Sequence, residues 1–243
     1  MADMAQQDSN EAVWKSDETV KAWAEAASAR EHRRAECIRF MASLLPFQRD
    51  ERFTFIDLGA GTGMAARGIM DYYPNAHALL ADYSAQMMDE GRKVLTPYEG
   101  RYAYVEFDMK SSIWPAELPA ALDAAVTSQC VHHLPDGRKA GLFAEILARL
   151  KPGGWYLNFD PVKAADPVVE GVWQRVNDRE DPEAAHQRGH RDVRQRAMWE
   201  NHVRYMMDLE SQLTLFRAAG FAAVDVYWKQ LDYVIYGGCR PGA

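Results

Sequence analysis

Apolar residues are spaced along this chain in two alternating rhythms. From Asp17 to Leu45 they recur every three or four positions: Val20, Trp23, Ala24 and Ala27, then Ile38, Met41 and Leu45. That is the spacing of one helix face, with Asp17 placed to cap its start and Pro46 to end it. From Phe53 short apolar runs alternate with helical patterns. "FTFIDL" predicts a strand, with a helix from about Met64 to Tyr72; "AHALLAD" predicts a second strand, with a helix from Ser84 to Leu95. "YAYVEFD" and "LDAAVTS" are the third and fourth strands. An amphipathic helix from Gly137 to Leu150 leads through a "KPGG" turn into "GWYLNFD", the fifth. Strands alternating with helices predict a parallel sheet covered on both faces.

The stretch from Pro161 to about Asp208 breaks that rhythm. It is charged and helical in composition ("NDREDPEAAHQRGHRDVRQR") and predicts a helical insertion over the sheet. The alternation resumes with a helix, "LESQLTLFRAAG", and two strands, "AAVDVYWK" and "LDYVIYGG". Only a residue or two around Gln230 separates those strands. A parallel pair needs a long crossover, so they form an antiparallel hairpin. The expectation is an α/β fold of seven strands, mostly parallel with an antiparallel C-terminal hairpin. Its domains are an N-terminal helical lid over 1–50 and a main domain over 51–243, with a helical cap at about 162–208.

Composition narrows the function classes. With 243 residues and 48% hydrophobic content, the chain can bury one substantial core. A net charge of -7 offers no basic footprint for a polyanion, so nucleic acid is not the expected partner. Cys37, Cys130 and Cys239 are odd in number and scattered, which fits a reducing, cytoplasmic setting better than a disulfide framework. No apolar run has the length of a membrane span, and the N-terminus lacks the apolar core of a signal peptide. A homodimer is compatible with the sequence.

The chemistry concentrates at strand ends. "FIDLGAGTG" turns the first strand into the first helix, where glycines let the backbone approach a ligand and unpaired helix N–H groups face it. Gly59, Gly61 and Gly63 are spaced G-x-G-x-G rather than the dinucleotide G-x-G-x-x-G, and Asp57 precedes them. Asp82 ends the second strand, where a carboxylate can accept ribose hydroxyls. Asp108 ends the third, in reach of an adenine amino group, with Met109 as an apolar edge. Three carboxylates at the carboxyl edge of one sheet predict a ligand site there.

In order and spacing, "IDLGAGTG", "LLADYSAQMM", "VEFDMK", "AAVTSQCVHHL" and "LARLKPGGWYLNFD" resemble the class I S-adenosylmethionine-dependent methyltransferases, from Phe53 to the final hairpin. The resemblance implies their Rossmann-like fold and S-adenosylmethionine as cofactor. It implies that Asp57, Gly59, Ala60, Gly61 and Gly63 carry the methionine portion. Asp82, with Tyr83 and Met87, takes the ribose side, Asp108 and Met109 the adenine, and Ser128, Gln129 and Cys130 flank the sulfonium. A non-catalytic cofactor-binding protein on the same fold is the bland alternative.

A sulfonium methyl is already electrophilic, so positioning an acceptor supplies much of the rate. No Asn-Pro-Pro-Tyr or Asp-Pro-Pro-Tyr follows the fourth strand, and the expected acceptor is a small molecule. His132 and His133 stand at that strand's end as candidate catalytic residues, one of them as base or acceptor clamp. His186 and His190 have i,i+4 spacing inside the charged insertion, and no metal site is expected there. "RQRAMWENH" and "LESQLTLFRAAGF" also resemble the carboxy-S-adenosylmethionine synthases of tRNA wobble modification, in which an arginine holds a carboxylate. Arg196 is the matching residue, with Trp199 and Tyr205 as further acceptor contacts. "SQCVHH" departs from that subfamily; its synthase reaction stays an alternative function, and an acceptor with a carboxylate clamped by Arg196 stays open. On the lid, Trp23, Arg30, Arg33 and Arg34 are candidates to close over the cofactor.

Overall fold

The computed structural model describes residues 33–242. Seven strands form one sheet in the order β3-β2-β1-β4-β5-β7-β6. They are β1 Thr54–Leu58, β2 His77–Asp82, β3 Tyr102–Glu106, β4 Leu122–Ser128, β5 Leu150–Pro161, β6 Ala222–Gln230 and β7 Tyr233–Cys239. β1 to β5 pair in parallel, and β7 runs antiparallel to both β5 and β6. The expected hairpin is therefore present, with Leu231 at φ 52 in its turn.

Side-chain alternation in β1 explains the layers. Phe55 belongs to one buried cluster, with Ile38, Met41, Ile69, Leu80, Val126 and Leu157. Ile56 and Leu58 belong to the other, with Ala125, Phe143, Ile146, Tyr156 and Phe216. Residues 33–43 (α1), α2 (Met64–Tyr72) and α3 (Ala85–Val94) contribute to the sheet packing around β1 to β3. The second face is covered by α4 (Asp136–Arg149) and α8 (Leu209–Ala218). Of the lid, Trp23, Arg30 and the apolar positions from Val20 to Ala27 lie outside the described residues. Within α1, Ile38, Met41 and Ala42 are buried in the core.

Residues 167–203 form three helices, α5 (Pro167–Glu180), α6 (Pro182–Gly189) and α7 (Val193–Val203). Local sequence explains the divisions. Asp166-Pro167 and Asp181-Pro182 each place a carboxylate at the N-cap and proline at the first turn; Asp192 with Gln195 makes a capping box. None of the three helices has a fully buried residue. Arg33 of α1 reaches Glu180 of α5 at 3.4 Å.

Two sequence expectations need correction. "KPGG" does not precede the fifth strand as a free turn: β5 already begins at Leu150, and pairing jumps from Leu122–Leu150 to Ala124–Trp155 across a bulge. Asp108 does not end the third strand, which stops at Glu106. Asp57 lies one residue inside β1, paired with Leu80, Asp82 pairs with Glu106, and Asp108 is two residues beyond the end of β3.

Candidate active site at the carboxyl edge of the sheet

The glycine loop between β1 and α2 is fixed by its neighbours. Asp82 accepts the Gly61 amide on Oδ2 at 2.7 Å and the Ser84 amide on Oδ1 at 2.9 Å. Tyr104, from β3, donates its hydroxyl to the Gly61 carbonyl at 2.9 Å. Gly59 has φ 68, and a Cβ there would sit 2.7 Å from Cys130 Cβ and 3.0 Å from Met109 Cε. The loop thus passes against the ends of β3 and β4 with no room for a side chain. Met87 approaches Gly61 from α3, its N–H capped by the Ser84 hydroxyl at 3.2 Å.

Asp57 is 1% exposed. Its Oδ2 accepts the Ala66 amide at 3.0 Å, while Oδ1 is buried with no hydrogen-bond partner among the described residues. Burial, with the nearby Asp82 charge, pushes this carboxyl up to about 7 against the Ala66 hydrogen bond. A buried carboxylate oxygen without a donor beside a glycine loop is a site for a cationic group. Asp108 accepts the Lys110 amide at 2.9 Å, and Met109 is held through its carbonyl by Arg138 Nε at 2.6 Å. Ala60 and Met87 are buried and Tyr83 is half-buried beside them.

At the end of β4 the chain makes a sharp turn. Gln129 takes φ 55, unusual for a residue with a side chain, and its N–H is held by the Phe159 carbonyl at 2.7 Å. Cys130 points its thiol at the Leu58 carbonyl at 3.2 Å, and burial raises it well above the usual thiol range. His132 and His133 follow in a 3₁₀ turn, Val131–His133. Asp160, at the end of β5, accepts the His132 backbone N–H on Oδ2 at 2.8 Å and faces its Nδ1 from Oδ1 at 2.8 Å. His132 Nε2 is buried with no hydrogen-bond partner among the described residues.

The insertion completes this corner. His202 of α7 lies edge-on to both histidines, with ring centroids 4.7 Å from His132 and 5.2 Å from His133; the latter two are 4.0 Å apart. Burial lowers His132 to about 3 and His202 to about 4, and puts His133 well below the usual histidine range, where Lys110 and Lys139 also act. All three are neutral imidazoles at pH 7 with little drive to take up a proton. That weakens the expected base role of His132 or His133. Burial also pushes Asp160 up to about 8, against the His132 amide and the Lys139 charge.

Lys139 is fully buried, donating to Asp136 at 3.2 Å and to the Tyr205 carbonyl. It ties α4 to the end of the insertion. Trp199 is exposed, stacks near His202 at 5.5 Å and carries the Arg191 guanidinium at 4.4 Å. Arg196 is exposed, its Nε donating to the Arg191 carbonyl at 2.9 Å. Beneath the edge, Thr127, Tyr156, Asn158, Tyr236 and Gln212 form a continuous buried hydrogen-bond chain across β4, β5, β7 and α8.

Sequence reasoning missed Asp160, His202, Tyr104 and Lys139. Asp160 carried a signal, since it ends the strand next to β4. The other three depend on packing that no local pattern displays.

Residues 55–154 match the family model described as a methyltransferase domain. Over this stretch the chain is similar to that methyltransferase domain family. Its fold continues beyond the match, through the insertion and hairpin. An O-methyltransferase family protein from Burkholderia thailandensis superposes with a TM-score of 0.71 at 17% identity, over 96% of this chain and 63% of its own. Human N-acetylserotonin methyltransferase, in complex with S-adenosylmethionine, gives 0.61 at 18% identity, over 96% and 58%. At these identities the likeness speaks for the fold. The trans-aconitate 2-methyltransferase of Azoarcus sp. (strain BH72) is 30% identical over 105 residues, 43% of this chain and 38% of the relative. The chain thus spans less than two thirds of these relatives' length, from 38% to 63%. No helix among the described residues is long and apolar enough to cross a membrane.

Proposed function

We propose that this chain is an S-adenosylmethionine-dependent methyltransferase whose acceptor is a carboxylate oxygen of a small molecule. The observation that carries the reading is the buried Oδ1 of Asp57, without a donor among the described residues, beside a glycine loop that has no space for a Cβ at Gly59. An amino acid's ammonium group suits that oxygen, and the loop suits a ligand lying flat against backbone. Bound there, S-adenosylmethionine supplies a methyl group activated by its sulfonium.

The chain's own residues divide into two sets. Asp57, Gly59, Ala60, Gly61 and Gly63 hold the methionine portion. Asp82 braces the loop and, with Tyr83 and Met87, faces the ribose; Asp108 and Met109 face the adenine. Ser128, Gln129 and Cys130 border the reacting side, with the φ 55 of Gln129 bringing the backbone round. His132 and His133 lie beyond as acceptor-side residues, and Arg196, Trp199 and Tyr205 of the cap contact the acceptor.

Support for an anionic acceptor comes from charge at that corner. Lys110 and Lys139 both act on His133, so two cationic side chains lie near the edge beyond β4, Lys139 paired with Asp136. The name of the trans-aconitate relative points the same way. A carboxylate carries no proton at neutral pH, so its methylation needs no base, in keeping with the neutral histidines. Orientation then carries the catalysis.

Mass spectrometry of ligand released from purified protein tests the cofactor. The mass of S-adenosylmethionine or its demethylated product supports the reading. An extra carboxyl group on the sulfonium would replace it with the synthase reaction.

A further inference from the structure

The histidine corner has features that holding a cofactor does not require. Three imidazoles converge from two separate parts of the chain, two from the turn after β4 and one from the last turn of α7. One ring nitrogen from each lies within 4.8 Å of the others. His132 is buried, its Nδ1 occupied by Asp160 and its Nε2 without a partner among the described residues, next to the other two rings. A carboxylate on one imidazole nitrogen fixes the tautomer and leaves the other lone pair for a metal.

From this geometry we infer that His132, His133 and His202 form a binding site for one divalent transition-metal ion of the zinc class. Nitrogens around tetrahedral zinc lie about 3.3 Å apart. Closing from 4.8 Å draws the other two rings toward His132, which Asp160 holds in place, and α7 carries its ring on an exposed helix that has no buried residue to hold it back. Three protein ligands leave a position open, the arrangement of a site that takes a further ligand. Lys110 and Lys139 face the cluster and oppose a cation; a bound ion favours the ionised form of Asp160, and that carboxylate together with an acceptor carboxylate on the open position offsets the lysines. The ion then clamps the acceptor and locks the insertion onto the sheet edge. The ion site rests on the histidine geometry alone; its use as a carboxylate clamp rests on the methyl-transfer reading.

Co²⁺ added to chelator-dialysed protein, without S-adenosylmethionine, tests the site. Uptake saturates at one equivalent, with visible absorption far stronger than that of the aqueous ion, and Zn²⁺ displaces it. His202→Ala abolishes this signal, and Asp160→Asn weakens binding by about 10–100-fold. Absence of saturable uptake, or His202→Ala binding Co²⁺ like the parent, overturns the inference. S-adenosylmethionine affinity measured on the same samples separates the two readings. Cofactor binding without ion binding removes the metal site alone, and ion binding without cofactor binding removes the methyl-transfer reading alone. Unchanged cofactor affinity in His202→Ala shows that the variant is folded.

Discussion

Tyr104 and Gly61 are joined by a 2.9 Å hydrogen bond from a phenol on β3 to a carbonyl in the loop after β1. The bond crosses the sheet over β2 and ties the loop to the third strand. Burial, with the nearby charges of Asp57 and Asp82, raises this phenol far above its usual range, so it stays a donor at any working pH. Tyr104→Phe keeps the ring and removes the donor. S-adenosylmethionine affinity falls by roughly 2–10-fold, the worth of one such bond, as read by calorimetry.

Asp82 holds the same loop from the other side, with one oxygen on Gly61 and the other on Ser84. Asp82→Ala leaves two amides without acceptors and removes the proposed ribose contact. Cofactor affinity drops by more than about 10-fold, and stability by about 1–3 kcal/mol in urea unfolding. Unchanged cofactor binding in this variant would refute the site map.

Asp57 gives a pH dependence with a defined sign. Its carboxyl titrates near 7 in the folded chain, against the usual 3.8. The folded state therefore holds a proton that the unfolded chain has lost between about pH 4 and 7. Stability from this group is full below about 4 and is lost as pH rises through 7, by at most about 4 kcal/mol. Asp57→Asn flattens that slope in urea titrations run from pH 5 to 8. An ammonium group pairs with the ionised carboxylate, so the thermal shift caused by S-adenosylmethionine grows over the same window in the parent and not in the variant.

Arg196 is proposed to act on the acceptor and not on the cofactor. Arg196→Ala raises the acceptor KM by about 10-fold or more, the loss of a charge-assisted contact, with cofactor affinity unchanged. A variant with parental KM would leave Arg196 as a solvated residue of α7.

The fold was readable because its signals are local. Strand runs of four to eight residues, the glycine turn and the short gap around Gln230 each fix one step of the topology. Asp-Pro pairs inside the insertion mark helix starts just as directly. The proposed cofactor side could be located for the same reason: Asp57, Asp82 and the glycines sit at strand ends that the pattern delimits. The acceptor side was not. His132 becomes interpretable only once Asp160 and His202 lie against it, and those residues are 28 and 70 positions away. Asp108 shows a smaller failure. β3 stops at Glu106 because pairing with β2 ends there, a boundary that the apolar run through Phe107 conceals.

The central claim is methyl transfer to a carboxylate, and methyl-labelled S-adenosylmethionine incubated with the purified chain and a panel of small carboxylic acids tests it most directly. A methyl ester gives up its label as volatile methanol under mild alkali, whereas a methylated amine, carbon or ether does not. The account predicts label in a small-molecule product that alkali releases. Protein that binds the cofactor but transfers no label, or label that survives alkali, would contradict it.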